Sequence, residues 1–122
     1  LEVLQLAVID KDKRIKKEIV KLRKLSKDLD EDKKKAVEKL IENIAFMSVT
    51  LEDLQVEINK NGVVESYQNG ENQSGKKQSS ALQSYNALIK NYTSCLTQLL
   101  NQLPDDAQFQ DDGFDAFLKM NK

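Results

Sequence analysis

Between Asp30 and Asn61 the residues Val37, Leu40, Ile44, Met47, Leu51, Leu54 and Ile58 follow one another at alternating intervals of three and four. That spacing lays them along one stripe of an α-helix. Asp30 offers an N-cap, and Glu31 and Asp32 put acids at the positive end of the helix dipole. Asn61-Gly62 supplies residues that tolerate the left-handed backbone in which helices end. Thr50-Leu-Glu-Asp53 reads as a capping box that would break the rod near Ser48. The stripe keeps its phase across that point, so one helix over 30–61 is expected, roughly 45 Å long.

The same spacing returns in Leu82, Tyr85, Ile89, Tyr92, Leu96, Leu99 and Leu103. Pro104 closes this second rod, because the residue before proline is pushed out of the helical region. Ser79 or Ser80 caps its start. Two rods with matching seams, 30–61 and 80–103, predict a long antiparallel helical hairpin. A weaker third helix covers residues 8–27, where Val8, Ile15, Ile19 and Leu22 share a face with Leu25 beside it. Leu29 and the acidic turn Asp28–Asp32 separate it from the first rod.

The connection, residues 62–79, is longer than a tight helix–helix turn. Val63–Tyr67 can be extended, Asn69-Gly70 signals a type I′ turn, and Glu71-Asn72-Gln73 would form a polar return. The fold class expected is therefore all-α. A helical domain fills 1–104, with an N-terminal helical segment over 1–29 and an extended or β-hairpin-like link, and a separate tail covers 105–122.

Apolar positions extend beyond the seams. At about 100° per residue, Val49 and Val56 sit some 120–140° from Ile44, and Phe46 lies nearly opposite it. Leu88 and Cys95 widen the stripe of the second rod. A two-rod hairpin cannot bury all of these. Phe46, Val49, Val56, Leu88 and Cys95 are thus expected to meet other copies of the chain, the alternative being a three-helix monomer with a wide core.

Charge changes the picture more than composition does. The 122 residues carry 19 basic and 20 acidic side chains, yet residues 11–27 hold nine Lys/Arg against Asp12 and Glu18, a local +7. Lys13, Arg14, Lys16, Lys17, Lys21, Arg23 and Lys24 form a candidate surface for an anionic partner; the bland alternative is a solvated helix face. The tail holds Asp105, Asp106, Asp111, Asp112 and Asp115 against two lysines, together with three of the four phenylalanines. Phe114, Phe117 and Leu118 share one side of a short helix after Gly113, and with Phe109 they suit docking into a partner's groove. Folding back on the chain's own hairpin is the other outcome for such a segment.

Catalytic chemistry is sparse. Without His, and with Cys95 alone, no His/Cys zinc site, Ser-His-Asp triad or intrachain disulfide can be built. No cofactor is expected. Gly70–Lys77 resembles a phosphate-binding loop, but Lys77 stands where a hydroxyl should hold Mg²⁺, and no buried strand leads into it. Asp30-Glu31-Asp32 and Asp111-Asp112 lack calcium-loop spacing. Apolar runs are too short to span a bilayer and no secretory segment opens the chain, so a soluble intracellular protein without membrane contact is expected.

Ala36–Leu54 (Ala-Val-Glu-Lys-Leu-Ile-Glu-Asn-Ile-Ala-Phe-Met-Ser-Val-Thr-Leu-Glu-Asp-Leu), the link with Gly62, Tyr67, Asn69-Gly70 and Asn72–Gly75, and Tyr85–Tyr92 (Tyr-Asn-Ala-Leu-Ile-Lys-Asn-Tyr) together resemble phage terminase small subunits. The likeness runs over roughly residues 10–104 and rests on overall pattern. It implies a non-catalytic part of a DNA-packaging motor, working in the cytoplasm of the infected bacterium. Such subunits form rings, bind viral double-stranded DNA and deliver it to a large subunit that supplies ATPase and nuclease. Under that role the basic helix contacts phosphates, the rods build the ring and the tail engages the large subunit. No helix-turn-helix with base-reading Arg, Asn or Gln is recognisable here, and lysines mostly contact the DNA backbone.

Overall fold

The computed structural model describes residues 2–104; Leu1 and residues 105–122, including the expected tail helix, lie outside the described residues. Three helices, α1 (Glu2–Arg23), α2 (Glu31–Asn61) and α3 (Ser80–Gln102), make the chain mostly helical, and a two-stranded antiparallel sheet lies between α2 and α3.

Each long helix begins and ends where local chemistry dictates. The Asp30 carboxylate accepts from the Lys33 amide at 2.8 Å, and α2 runs unbroken through Thr50 to Asn61. Gly62 then takes φ +85°, which side chains with a Cβ rarely adopt, and its N–H donates to the Ile58 carbonyl at 2.7 Å. Ser79 caps α3 by accepting from the Leu82 amide at 3.1 Å. Leu103 leaves the helical region just ahead of Pro104.

Side-chain contacts between α2 and α3 run in opposite order along the two helices. Gln55 donates to the Tyr85 hydroxyl at 3.1 Å, and Ser48 hydrogen-bonds Tyr92. Leu99 therefore falls at the level of Ile41, and Leu103 at the level of Val37. All four belong to one buried cluster that Leu22, Leu25 and Leu29 complete from the first helical segment.

α1 packs on a second face of α2, also in opposite order. Arg23 is paired with Glu38, while Arg14 reaches Glu52 at 2.9 Å and Asp53 at 2.7 Å. This docking explains Val49. It lies between Phe46 and Asp53, which both meet Lys11 of α1, and only 1% of it is exposed. The expectation that Val49 faces other copies is thus corrected, since α1 covers it. α1 also starts at Glu2, six residues earlier than the expected 8–27, and a 3₁₀ turn over Lys24–Ser26 follows it.

The link forms β1 (Val64–Gln68) and β2 (Ser74–Gln78), with Val64 opposite Gln78 and Gln68 opposite Ser74. Residues 69–73 make a loop closed by Asn69 N–H to Gln73 carbonyl at 2.7 Å. Among the described non-glycine residues none has positive φ, so Asn69-Gly70 is not the expected type I′ turn, and the return strand begins after Gln73. A Cβ on Gly75 would stand 3.0 Å from the Tyr67 hydroxyl, so glycine lets that ring lie across the sheet. Glu65 ties the sheet to α3: it accepts from the Ser80 hydroxyl at 2.9 Å and meets Lys77 at 3.5 Å, and these contacts hold its carboxyl below the usual range.

One buried hydroxyl stands out on α2. Thr93 and Thr97 each bond a carbonyl four residues back, but Thr50 Oγ1 is buried without a partner. Thr50→Val replaces that hydroxyl by a methyl of nearly the same shape and is expected to stabilise the chain by about 1 kcal/mol. A urea midpoint that stays level or falls would show that the hydroxyl is satisfied in solution.

Candidate nucleic-acid interface

From Lys11 onward α1 is rich in Lys and Arg, and the fold divides these cations into two sets. Arg14 and Arg23 point to α2, where carboxylates take them; the hydrogen bonds that Arg14 donates to Asp53 and Glu52 raise its pKa, and those that Arg23 donates to Glu38 raise that of Arg23. Lys11 lies 5.0 Å over the Phe46 ring. Both arginines therefore serve to dock α1. Sequence spacing could not separate them from the lysines, because their partners are on another helix.

Lys13, Lys16, Lys17, Lys21 and Lys24 are all exposed. Leu22, Ile15 and Ile19 set the inward side of α1; Lys13 and Lys17 lie nearly opposite at helical spacing, and Lys24 follows them in the 3₁₀ turn. From Lys13 to Lys24 this ridge spans roughly 16 Å. Val20 interrupts it with an exposed apolar side chain. A row of ammonium groups on a docked helix can hold phosphates as point charges, and it carries no planar fork for reading a base edge.

The remaining predicted positions divide. Phe46 is 50% and Val56 67% exposed, so both stay open to another molecule. Leu88 and Cys95 are partly buried and pack against the core cluster. Phe109, Phe114, Phe117 and Leu118 lie outside the described residues. Val8, expected on the apolar face of the first helix, is exposed, and Val3, Leu4, Leu6 and Ile9, which sequence reading did not mark, are exposed with it on the first turns of α1. Leu4, Gln5, Val8 and Ile9 bound an open groove of about 360 Å³. The only signal for it in sequence is an apolar run without periodicity. In the link, Gly75 and Lys76 belong to β2, so the phosphate-loop likeness lacks the following helix N-terminus such a loop needs.

Tyr92 separates two clefts that share Ser48 and Glu52. Burial is the main cause that pushes its hydroxyl up to about 12, with Glu18 and Glu52 adding to it. Tyrosine ionises near 10 when free. Between those values the unfolded chain has lost a proton that the folded chain keeps, so stability is complete below about pH 10 and falls as pH rises toward 12. Lys21 lines the same cleft as Glu18. Tyr92→Phe is expected to remove roughly 1–2 kcal/mol of this alkaline loss, less than the unscreened figure because water reaches the clefts. Urea midpoints of both proteins at pH 9 and 11.5 measure it, and parallel declines would contradict it.

Among the described residues no helix is long and apolar enough to cross a membrane. Comparison with family models, with curated proteins and with solved structures finds no match to this chain.

Proposed function

We propose that this chain is the non-catalytic small subunit of a phage DNA-packaging terminase, an oligomeric adaptor that holds viral DNA for a large ATPase and nuclease subunit. The observation that carries the reading is the lysine ridge of α1. Carboxylates of α2 take up the arginines and fix the helix, while five lysines face outward. The likeness of residues 10–104 to terminase small subunits supplies the biological setting. In this reading α2 and α3 form the antiparallel hairpin on which α1 is mounted. Phe46 and Val56 contribute to contacts between copies in a ring, and the tail engages the large subunit. Binding rests on phosphate contacts, so DNA shape and ring geometry set any site preference.

The test is a titration of labelled duplex DNA into the full chain at low salt. Changing Lys13, Lys16, Lys17, Lys21 and Lys24 to Glu should abolish binding while leaving the helical content and native mass intact. Unchanged affinity would overturn the reading. A second reading, a helical interaction module without a nucleic-acid role, is favoured by the exposed patch from Val3 to Ile9. A closed ring in native mass spectrometry supports the adaptor; a monomer or simple dimer that ignores DNA supports the module.

A further inference from the structure

The link between α2 and α3 is a sheet of two strands, and a lone pair of strands is marginal in water unless something completes it. Its hydrogen-bond phase sets what each edge offers. Val63 faces Ser79 and Asn69 faces Gln73 in the register that puts Val64 opposite Gln78, and these facing pairs are bonded, at 2.8 and 2.7 Å. Facing pairs in an antiparallel ladder alternate between bonded and non-bonded, so Glu65 and Tyr67 turn their backbone groups toward β2. The N–H and C=O of Val64, Ser66 and Gln68 point the other way, off the outer edge of β1. Those of Ser74, Lys76 and Gln78 leave the outer edge of β2.

The two edges differ. Gln83 of α3 donates to the Gln78 carbonyl at 3.2 Å, and Lys76 stands at the middle of β2. Two β2 edges centred there would set lysine against lysine, and β1 of another copy pairing with β2 would have to displace Gln83. β1 carries neither obstacle. No described residue hydrogen-bonds the outward groups of Val64, Ser66 or Gln68, and none of those three side chains is charged. The one charge on β1, Glu65, already meets Lys77 across the hairpin and Ser80 on α3. β1 has no lysine, proline or bulge of the kind that protects a free edge. Val64 and Tyr67 stay exposed on it.

We propose that β1 pairs antiparallel with β1 of a second copy about a two-fold axis at Ser66, joining two hairpins into one four-stranded sheet. In that register Val64 faces Gln68 of the partner subunit and Ser66 faces Ser66 of the partner subunit. Every outward N–H and C=O of both strands then finds a bond. Glu65 faces Tyr67 of the partner subunit. An axis at Glu65 would oppose two carboxylates, and an axis at Tyr67 would set Val64 against Gly70 of the partner subunit, beyond the strand. Main-chain bonds of this kind supply the affinity of strand addition. The contact does not depend on DNA binding. In a chain that also forms rings through Phe46 and Val56, it joins one ring to a second, face to face.

Amide hydrogen exchange on the full, unaltered chain at about 0.5 mM tests the edge residue by residue. The amides of Val64, Ser66 and Gln68 should exchange at least about tenfold more slowly than those of Ser74 and Lys76, which lie on the other edge of the same sheet. Equal rates on the two edges, or slower exchange on β2, would overturn the proposal. Ser66→Pro takes away an outward N–H and no bond within the hairpin, and Glu65 before it is already extended. At the same concentration it should roughly halve the mass of the assembly read by light scattering. Lys76→Pro, its counterpart on β2, should leave that mass unchanged. An unchanged mass with Ser66→Pro, or halving by both variants, would refute the two-fold pairing. Should proline disrupt the hairpin itself, the exchange rates of the unaltered chain still decide. A halved mass in a protein that binds no duplex DNA would sink the adaptor reading and keep the pairing. DNA binding with an unchanged mass would do the reverse.

Discussion

Leu99→Ala is expected to cost about 3–5 kcal/mol, the largest stability loss predicted for a single substitution in this chain. Leu99 and Ile41 are both fully buried and fall at the same level of the α2–α3 contact. Truncation there removes three carbons from the centre of a long two-helix seam, and the neighbouring helices are held by caps at both ends, so they cannot close the gap. A domain of this size is stable by only about 5–15 kcal/mol, so such a loss lowers the melting temperature by roughly 15–30 °C. Val56→Ala on α2 should change stability by less than about 0.5 kcal/mol, because Val56 is exposed. Thermal scans of the two variants measure the contrast. Similar losses at both positions would mean that the α2–α3 seam is not the core.

The limits of α2 and α3 were legible because each carries its own punctuation. Asp30, Gly62, Ser79 and Pro104 act through local backbone chemistry, and that chemistry is the same in any fold. The start of α1 was not legible, since Glu2–Ile9 is apolar without a face and without a recognisable cap. The sheet was half legible. Val63–Tyr67 has strand-like residues, whereas Ser74–Gln78 is polar and pairs only because residues 69–73 bring it opposite β1.

The candidate interface shows the same division. A charge run in sequence marks α1 as basic but says nothing of which cations are spoken for. Glu38, Glu52 and Asp53 decide that, and they lie 15 to 39 positions away. Val49 follows the same logic: its distance from the seam suggested contact with another copy, and α1 buries it instead. Non-local packing assigns both, and only the assembled fold contains it.

The salt dependence of DNA binding gives the second large effect. Each lysine that neutralises a phosphate releases condensed counterion, adding about −0.9 to the slope of log affinity against log salt. Five ridge lysines predict a slope near −4.5, so affinity should fall several hundred-fold between about 50 and 200 mM salt. Changing Lys13, Lys16, Lys17, Lys21 and Lys24 together to Ala should flatten the slope toward zero, and each single change should lower it by about one. Arg14→Ala and Arg23→Ala bear on the docking of α1, because Glu52, Asp53 and Glu38 already neutralise those guanidinium groups. They should loosen the helix and leave the slope nearly unchanged. Fluorescence anisotropy across a salt series reads all of these slopes. If the arginine variants flatten the slope as strongly as the lysine variants do, DNA displaces the carboxylates of α2, and the division of α1 into a docking side and a phosphate side fails.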